Sequence, residues 1–458
     1  MASTYLTYTP SSAKTSDYKA TLSFWVKRTE LDGGTNFHGI LSSNTGFNSG
    51  NGYGIGFYED NLVWYKMDSS TSNNRTSTAR KFRDCSGYYH IVYKIDTTEA
   101  SANDRIKLYV NGVYDGAFTT NADKIPAQNT APYEFFENGD VQCIGSGQGG
   151  GGTYSGMILS HFYFIDGLAY EPTVFGSTDA DSGEWKINTS PSVTYGNNGF
   201  LILKDGNTIT DQGSNSNDWT VGGGTLTDLQ DCPDDVFATM NPLAYPNIAG
   251  GTYSNGNNTW VTGNTYYTYT PATLAVTKGK FYWEVEYVAK SGGNIEAIIG
   301  ITSTQATTTT NALGSYPNDW GYHTQNVTSY YLNNDVYTAY GTAYTEGDII
   351  GVALDADNNK LYFSKNGTWQ NSGDPTSGAT GTGALSITAP GSTPLGAYFP
   401  AVCFYAGSNT GTFNTNFGNG IFGTTSITDE GTNAAGIGKF EYDVPTGYTA
   451  LSAKGLNN

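Results

Sequence analysis

The sequence predicts an all-β protein built as two β-sandwich lobes in tandem. Three observations predict it. First, Gly (59) and Tyr (35) are abundant among the 458 residues, and Thr, Ser and Asn are dense throughout. Many short strands joined by Gly/Asn turns have this profile. Second, the apolar runs are short and alternate with period 2, and no helical-period segment exceeds a turn or two. Third, one device occurs twice: a strand, an Asn-Gly turn and a return strand, at Asn111-Gly112 and at Asn366-Gly367. Asn-Gly between two alternating runs is the strongest short-range hairpin signal. The chain is too long for one compact sandwich and suits two or three domains.

The first clear strand is Ala20–Val26. Ala20, Leu22, Phe24 and Val26 share one face, and Thr21, Ser23 and Trp25 the other. Strands follow at Tyr53–Tyr58, Leu62–Met67, Tyr88–Ile95 and Arg105–Val110, then at Val113–Phe118, Val141–Gly145 and Met157–Ile165. After about residue 170, prolines, Asp/Asn clusters and isolated apolar pieces dominate. This stretch reads as a trailing segment that wraps the first lobe. Asp231-Cys-Pro-Asp-Asp235 and Asn241-Pro-Leu-Ala-Tyr-Pro246 mark a boundary near 240.

The second lobe opens with Tyr253, Trp260 and Tyr266–Tyr269. Its clearest strand is Lys280–Tyr287, with Phe281, Trp283, Val285 and Tyr287 on one face and Glu284 and Glu286 on the other. Glu296–Ile301 and Asp348–Leu354 are dense apolar runs, as central strands require. The expected division is 1–170 for the first lobe, 171–245 for the wrap and linker, 246–425 for the second lobe and 426–458 for its C-terminal tail. No heptads occur, so no coiled-coil shaft is encoded here.

Charge narrows the function. Lys+Arg is 22 and Asp+Glu is 41, a net charge of −19, and charged residues are 14% of the chain. Ordinary domains carry about 25%. With no Lys/Arg run, neither nucleic acid nor an anionic bilayer fits as the main partner. No run approaches the ~20 apolar residues that span a bilayer, so membrane insertion is not expected. The N-terminus is polar and has no charged-then-apolar signal. Cys85, Cys143, Cys232 and Cys403 are far apart without metal-type spacing and read as buried thiols.

A family resemblance enters on particular segments. TYTPSSAKTSDYKATLSFWVKR, GYYHIVYKIDTT, RIKLYVNGV and SGMILSHFYFIDGLAYEPTVFG resemble the laminin G-like jelly roll common in phage virion proteins. KGKFYWEVEY, IIGITS, YTEGDIIGVALDADNNKLYFSKNGTW, AYFPAVCFY and FNTNFGNGIF resemble a SPRY domain, and VPTGYTALSAKGL is similar to the tail of phage SPRY proteins. The resemblance implies concanavalin A-like jelly-roll folds for both lobes. It also implies interaction modules rather than enzymes. The expected protein is a non-catalytic virion component, a tail-associated or fibre adhesin that binds a host-surface glycan or protein. A capsid decoration or head-fibre protein is the structural alternative, and a glycan-cleaving enzyme is a third. The implied partners are other virion proteins and the host surface. The implied place is the virion, made in the host cytoplasm and released by lysis. No shaft, anchoring or trimerisation element follows the second lobe. Oligomeric state stays open, a homo-oligomer included.

Candidate chemistry was weighed residue by residue. Glu284 and Glu286 have the i, i+2 spacing of a glycanase pair. In a SPRY strand, however, both face outward from the sheet, and no further alternating acids accompany them. His38, His90, His161 and His323 lack a second His or Cys at ligand spacing, and His90 and His161 sit at structural jelly-roll positions. Gly149–Gly152 has no following Gly-Lys-Ser/Thr, so it is a connection and not a phosphate loop. No cofactor is expected. A structural calcium would find oxygens at Asp205–Asn207, Asp211–Asp218 and Asp355–Asn359, but turn chemistry explains the same residues. The densest recognition signal is Tyr316, Trp320, Tyr322, Tyr330, Tyr331, Tyr337, Tyr340 and Tyr344, interleaved with Asn, Asp, Ser and Thr. Aromatic faces stack on sugar C–H surfaces while amides and hydroxyls bond the hydroxyls. Antibody loops use the same mixture. This segment is expected to be an exposed ligand-binding loop.

Overall fold

The computed structural model describes residues 4–31, 36–43, 53–66, 75–118, 125–131, 135–147, 154–244, 251–263, 267–292, 296–305, 311–405 and 409–457. Gly149–Gly152, Met67 and Tyr266 lie outside them. The chain divides into two compact units, Met1–Asp228 and Leu229–Asn458.

Among the described residues the first unit holds a seven-stranded sheet. Its order is Thr220–Gly223 (β15), Tyr5–Tyr8 (β1), Gln142–Ile144 (β10), Phe37–Ser43 (β3), Tyr53–Tyr58 (β4), Asn61–Lys66 (β5) and Arg75–Lys81 (β6). A six-stranded sheet faces it, ordered Phe200–Ile202 (β14), Met157–Asp166 (β11), Lys19–Arg28 (β2), Tyr89–Asp96 (β7), Ile106–Val110 (β8) and Val113–Tyr114 (β9). Gly176–Thr178 (β12) and Trp185–Ile187 (β13) form a separate hairpin. The alternation in β2 is the expected one. Ala20, Leu22, Phe24 and Val26 join Leu41, Ile55, Phe57, Ile91, Phe162 and Phe200 in one core. The outer face of the six-stranded sheet is not left to water. Val92, Tyr163, Ile165 and Leu201 are covered there by Tyr170, Val174, Phe175, Val193 and Tyr195.

The second unit repeats the plan. Its larger sheet runs Gly251–Ser254 (β16), Thr259–Thr262 (β17), Gly411–Asn416 (β29), Lys280–Lys290 (β19), Ile349–Asp355 (β24), Lys360–Lys365 (β25) and Thr368–Trp369 (β26). Leu385–Ser386 (β27) also pairs with β25, and Thr449–Ala450 (β32) pairs parallel with β19. The opposing sheet runs Tyr267–Pro271 (β18), Phe399–Tyr405 (β28), Glu296–Thr302 (β20), Asp319–Gln325 (β21), Thr328–Asn333 (β22) and Val336–Ala339 (β23). Ile421–Phe422 (β30) and Thr425–Ser426 (β31) form a small hairpin. As expected, β20 and β24 lie inside their sheets. Phe281, Trp283, Val285 and Tyr287 of β19 fill the core with Ile299, Ile301, Val352, Phe363 and Phe404.

Both Asn-Gly signals are two-residue hairpin turns. Asn111 and Gly112 have φ of 49° and 77°, and Asn366 and Gly367 have 47° and 77°. Positive φ at both positions is the type I′ requirement, which matches the twist of the flanking strands. Each Asn side chain also reaches the start of the adjacent strand, accepting a 2.8 Å bond from the His90 amide of β7 and from the Ile349 amide of β24 respectively.

In each unit an early and a late segment meet. Tyr5 pairs with Gly223 and Thr7 with Thr220. Phe237 bridges to Ser452, and the Ala238 amide donates to Leu451 O. Residues 229–244 thus pack within the second unit.

Candidate functional site

The segment expected as an exposed loop is instead a three-strand meander, β21–β22–β23, at the edge of its sheet. Strand alternation therefore splits its aromatics between two faces. Tyr322 is fully buried in the core, as is Tyr344, and Tyr340 is 6% exposed. These positions correct the expectation: Tyr322 and Tyr344 are sandwich core, not free ligand contacts. The Tyr344 hydroxyl donates to Ala297 O (2.7 Å), and the Tyr322 hydroxyl donates to Thr342 O. Burial of an amphipathic ring with its hydroxyl bonded at the margin accounts for both. Tyr316 also leaves the site. It packs on a small cluster with Ile298, Leu313 and Leu332, and its hydroxyl accepts from Asn311 Nδ2.

Trp320, Tyr331 and Tyr340 do come together. They line a cleft of about 450 Å³ with Thr338, Ala339, Asn371, Ala384, Leu385 and Ser386. That volume lies within the ~300–1,000 Å³ of small-molecule sites. The Trp320 and Tyr331 rings are 6.2 Å apart, and Tyr331 meets Tyr340 edge-on at 6.2 Å. The lining contains no charged side chain. Asn371, Ala384, Leu385 and Ser386 come from segments after the Asn-Gly turn, and nothing in the sequence ties them to Trp320.

Tyr330 and Tyr337 point to the opposite face. Tyr330 pairs with Ala339 and Tyr337 with Leu332, one register step from the cleft residues. Tyr337 is 46% exposed, and its neighbour Val336 is 57% exposed. Beneath the two tyrosines lies His323, fully buried, its ring 5.6 Å from Tyr337 and 6.4 Å from Tyr330. Both its ring nitrogens lack a hydrogen-bond partner among the described residues. Burial lowers its pKa to about 4, so the imidazole is neutral.

The glycanase-like pair behaves otherwise than expected. Glu284 does not face solvent: it is fully buried. The C-terminal tail covers its face of β19, with Phe440, Val444 and Tyr448 packed on Tyr282 and Tyr362. The carboxylate accepts from the Tyr282 hydroxyl (3.1 Å), Asn416 Nδ2 (3.1 Å) and the amides of Glu441 (3.0 Å) and Tyr442 (2.9 Å). Burial pushes its pKa up to about 7 against the pull of those donors. Glu286 is half-buried and accepts from Asn414 Nδ2 at 2.7 Å. The sequence could not show this cover, because Glu441 and Tyr442 stand more than 150 residues from Glu284.

His90 in the first unit, and loop acids in both units, are held by other groups of the protein. His90 is fully buried. Trp185 Nε1 donates to its Nδ1 (2.9 Å), which leaves Nε2 to donate to Ser23 Oγ (2.9 Å). Burial lowers its pKa to about 3, with His161 a second cause. Asp211 accepts the amides of Leu201, Gly213 and Asn217, and Asp355 binds Asn358 and Lys280. Among the described residues no His, Cys, Asp and Glu gather as a metal-binding group. Cys85, Cys143 and Cys403 are buried, and Cys232 is half-buried.

Two antiparallel sheets packed face to face in each unit define a class, the concanavalin A-like β-sandwich. Comparison with known families agrees. Residues 1–160 match the concanavalin A-like lectin/glucanases superfamily, and residues 280–419 match the SPRY domain. The chain thus joins a laminin G-like domain to a SPRY domain. Among solved structures, the SPRY domain of human HERC1 is similar over 36% of this chain and 91% of that chain, at 18% identity and a TM-score of 0.28. The TRIM65 PSpry domain is similar over 39% and 91%, at 15% identity and a TM-score of 0.27. Stonustoxin is similar over 40% of this chain and 27% of that one, at 22% identity and a TM-score of 0.27. No curated protein matches the sequence.

Proposed function

We propose that this protein is a non-catalytic phage virion component, a tail-associated or fibre adhesin that holds a neutral host-surface glycan. The observation that carries the reading is the cleft of Trp320, Tyr331 and Tyr340, rimmed by Thr338, Asn371 and Ser386 and lacking any charged lining residue. Aromatic rings offer stacking faces there, and the amide and hydroxyls offer hydrogen bonds to sugar hydroxyls. The phage setting rests on the resemblance of the joined domains. Retaining and inverting glycosidases need two carboxyls flanking the bond they cleave. The cleft lining supplies none, and Glu284 is sealed under the tail. Both facts support binding over hydrolysis.

The purified protein should adsorb to host cells and bind their isolated surface polysaccharide in a calorimeter. Trp320→Ala should weaken that binding about tenfold, a loss of about 1.4 kcal/mol, with a cooperative melting transition showing that the variant is folded. Protein that neither adsorbs nor blocks infection, or that releases oligosaccharides from the polysaccharide, would overturn the reading. Immunogold labelling of capsids alone would assign the protein to decoration instead.

A further inference from the structure

We infer that the β22–β23 hairpin grips an extended glycan, which runs from the cleft across the edge of β23 onto the tyrosines of the opposite face. The inference rests on the glycan reading above and names the form of ligand that site takes.

The argument begins with alternation. One short hairpin sends Tyr331 and Thr338 into the cleft and Tyr330 and Tyr337 to the other side of the sheet. A single sugar cannot touch both sides, since a sheet and its side chains separate them. A chain of sugars passing over the edge can. The edge itself is open: all four residues of β23 are exposed, and among the described residues β23 pairs only with β22. An edge strand presents unpaired N–H and C=O groups, which proteins ordinarily guard with Lys, Pro, a bulge or a covering loop. Val336-Tyr-Thr-Ala339 has no charge, no Pro and, among the described residues, no break in its register. Those peptide groups can bond hydroxyls between the two aromatic faces.

The outer face supplies the second independent observation. His323 is fully buried beneath Tyr330 and Tyr337, and among the described residues neither ring nitrogen has a partner. A buried polar group left unpaired costs about 1–3 kcal/mol, and a ligand hydroxyl that met the ring as the half-exposed Tyr337 side chain shifted would relieve that cost. Charge selects the chemistry. From Asn326 to Gly341 the only charged residue is Asp335. That stretch offers nothing to a phosphate or a sulfated sugar, and its tyrosines, amides and hydroxyls suit a neutral one.

The test uses the full chain and fragments of the host surface polysaccharide, cut by partial acid hydrolysis and graded from a single sugar upward. Affinity should rise about tenfold from the shortest to the longest fragments. Tyr337→Ala should abolish that rise and leave short-fragment binding unchanged. Tyr337→Phe, which keeps the ring, should bind as wild type, and thermal melting should show that both variants fold. Trp320→Ala should weaken fragments of every length. Equal affinity at all lengths overturns the inference, as does a Tyr337→Ala protein that binds long fragments normally; in either case the cleft reading stands alone. No binding by any fragment removes both. A dimer in light scattering that Val336→Lys dissociates assigns the open edge to a second copy of the chain and overturns the inference too.

Discussion

In the first unit Trp185 rests on the Asn-Gly turn at Asn111-Gly112; in the second, Tyr442 rests on the turn at Asn366-Gly367. A Cβ on Gly112 would lie 2.3 Å from the Trp185 ring, and one on Gly367 would lie 2.7 Å from the Tyr442 ring. Each aromatic belongs to a strap that covers the outer face of a sheet, 170–195 in one unit and 437–452 in the other. Each strap is also pinned by one buried polar side chain on that face. In the first unit the pin is neutral His90, bonded to the Trp185 indole. In the second it is Glu284, bonded to the Glu441 and Tyr442 amides. The layouts coincide and the chemistries are opposite. An outer sheet face can be closed by a base that burial keeps uncharged or by an acid whose oxygens collect donors. What matters is that the strap satisfies the pin.

Breaking the second pin should have the largest effect. Glu284→Leu removes the acceptor for four donors and should cost the second unit about 4 kcal/mol. Hydrogen exchange should show the amides around Glu441 and Tyr442 opening while the first unit keeps its protection. Unchanged exchange at those amides would mean that packing by Phe440 and Tyr448 alone holds the strap.

Acidity should separate the two pins by sign. The Glu284 carboxyl has a folded pKa of about 7 against an ordinary 4.5. Between those values the folded unit holds a proton that the unfolded chain has released. Its stability should therefore fall as pH rises from 4.5 to 7, by up to about 3 kcal/mol. His90 runs the other way, with a folded pKa of about 3 against 6.5. There the unfolded chain holds the extra proton, so the first unit should weaken as pH drops below 6.5. Denaturant midpoints read from unit-specific peptides across pH 4 to 8 would check both slopes. Glu284→Gln should flatten the first and leave the second.

The glycines should give the smallest effect, and it should be the same in both units. Gly112→Ala and Gly367→Ala each place a Cβ at positive φ and against a strap ring, at a cost of about 2 kcal/mol. A loss confined to one unit would show that only that strap is pressed onto its turn.

The straps and turns also mark where sequence reading stops. The Asn-Gly turns and the alternating faces of β2 and β19 were legible because strand period and turn chemistry are local. The candidate binding segment was half legible. Its aromatics were conspicuous, but reading 316–344 as a loop erased the alternation that buries Tyr322 and exposes Tyr337. The pattern was present all the same: Trp320, Tyr322 and Thr324 share a face, as do Tyr330 and Leu332. Glu284 was illegible because a strand pattern shows which face a side chain takes and not what later covers that face. Asn371 and Ser386 escaped for the same reason, reaching the cleft only through the pairing of β25 with β26 and β27.

The pairing of β1 with β15 and of Phe237 with Ser452 bears on how each unit forms. Neither sandwich is complete until segments more than 200 residues apart have met. Contacts of such separation must overcome loop-closure entropy before they return any stability, so closure is late and slow. The same geometry makes each unit portable. With its two ends side by side, a unit can be spliced into a surface loop of another protein without stretching either partner. A protein assembled from interchangeable parts gains most from modules closed in this way.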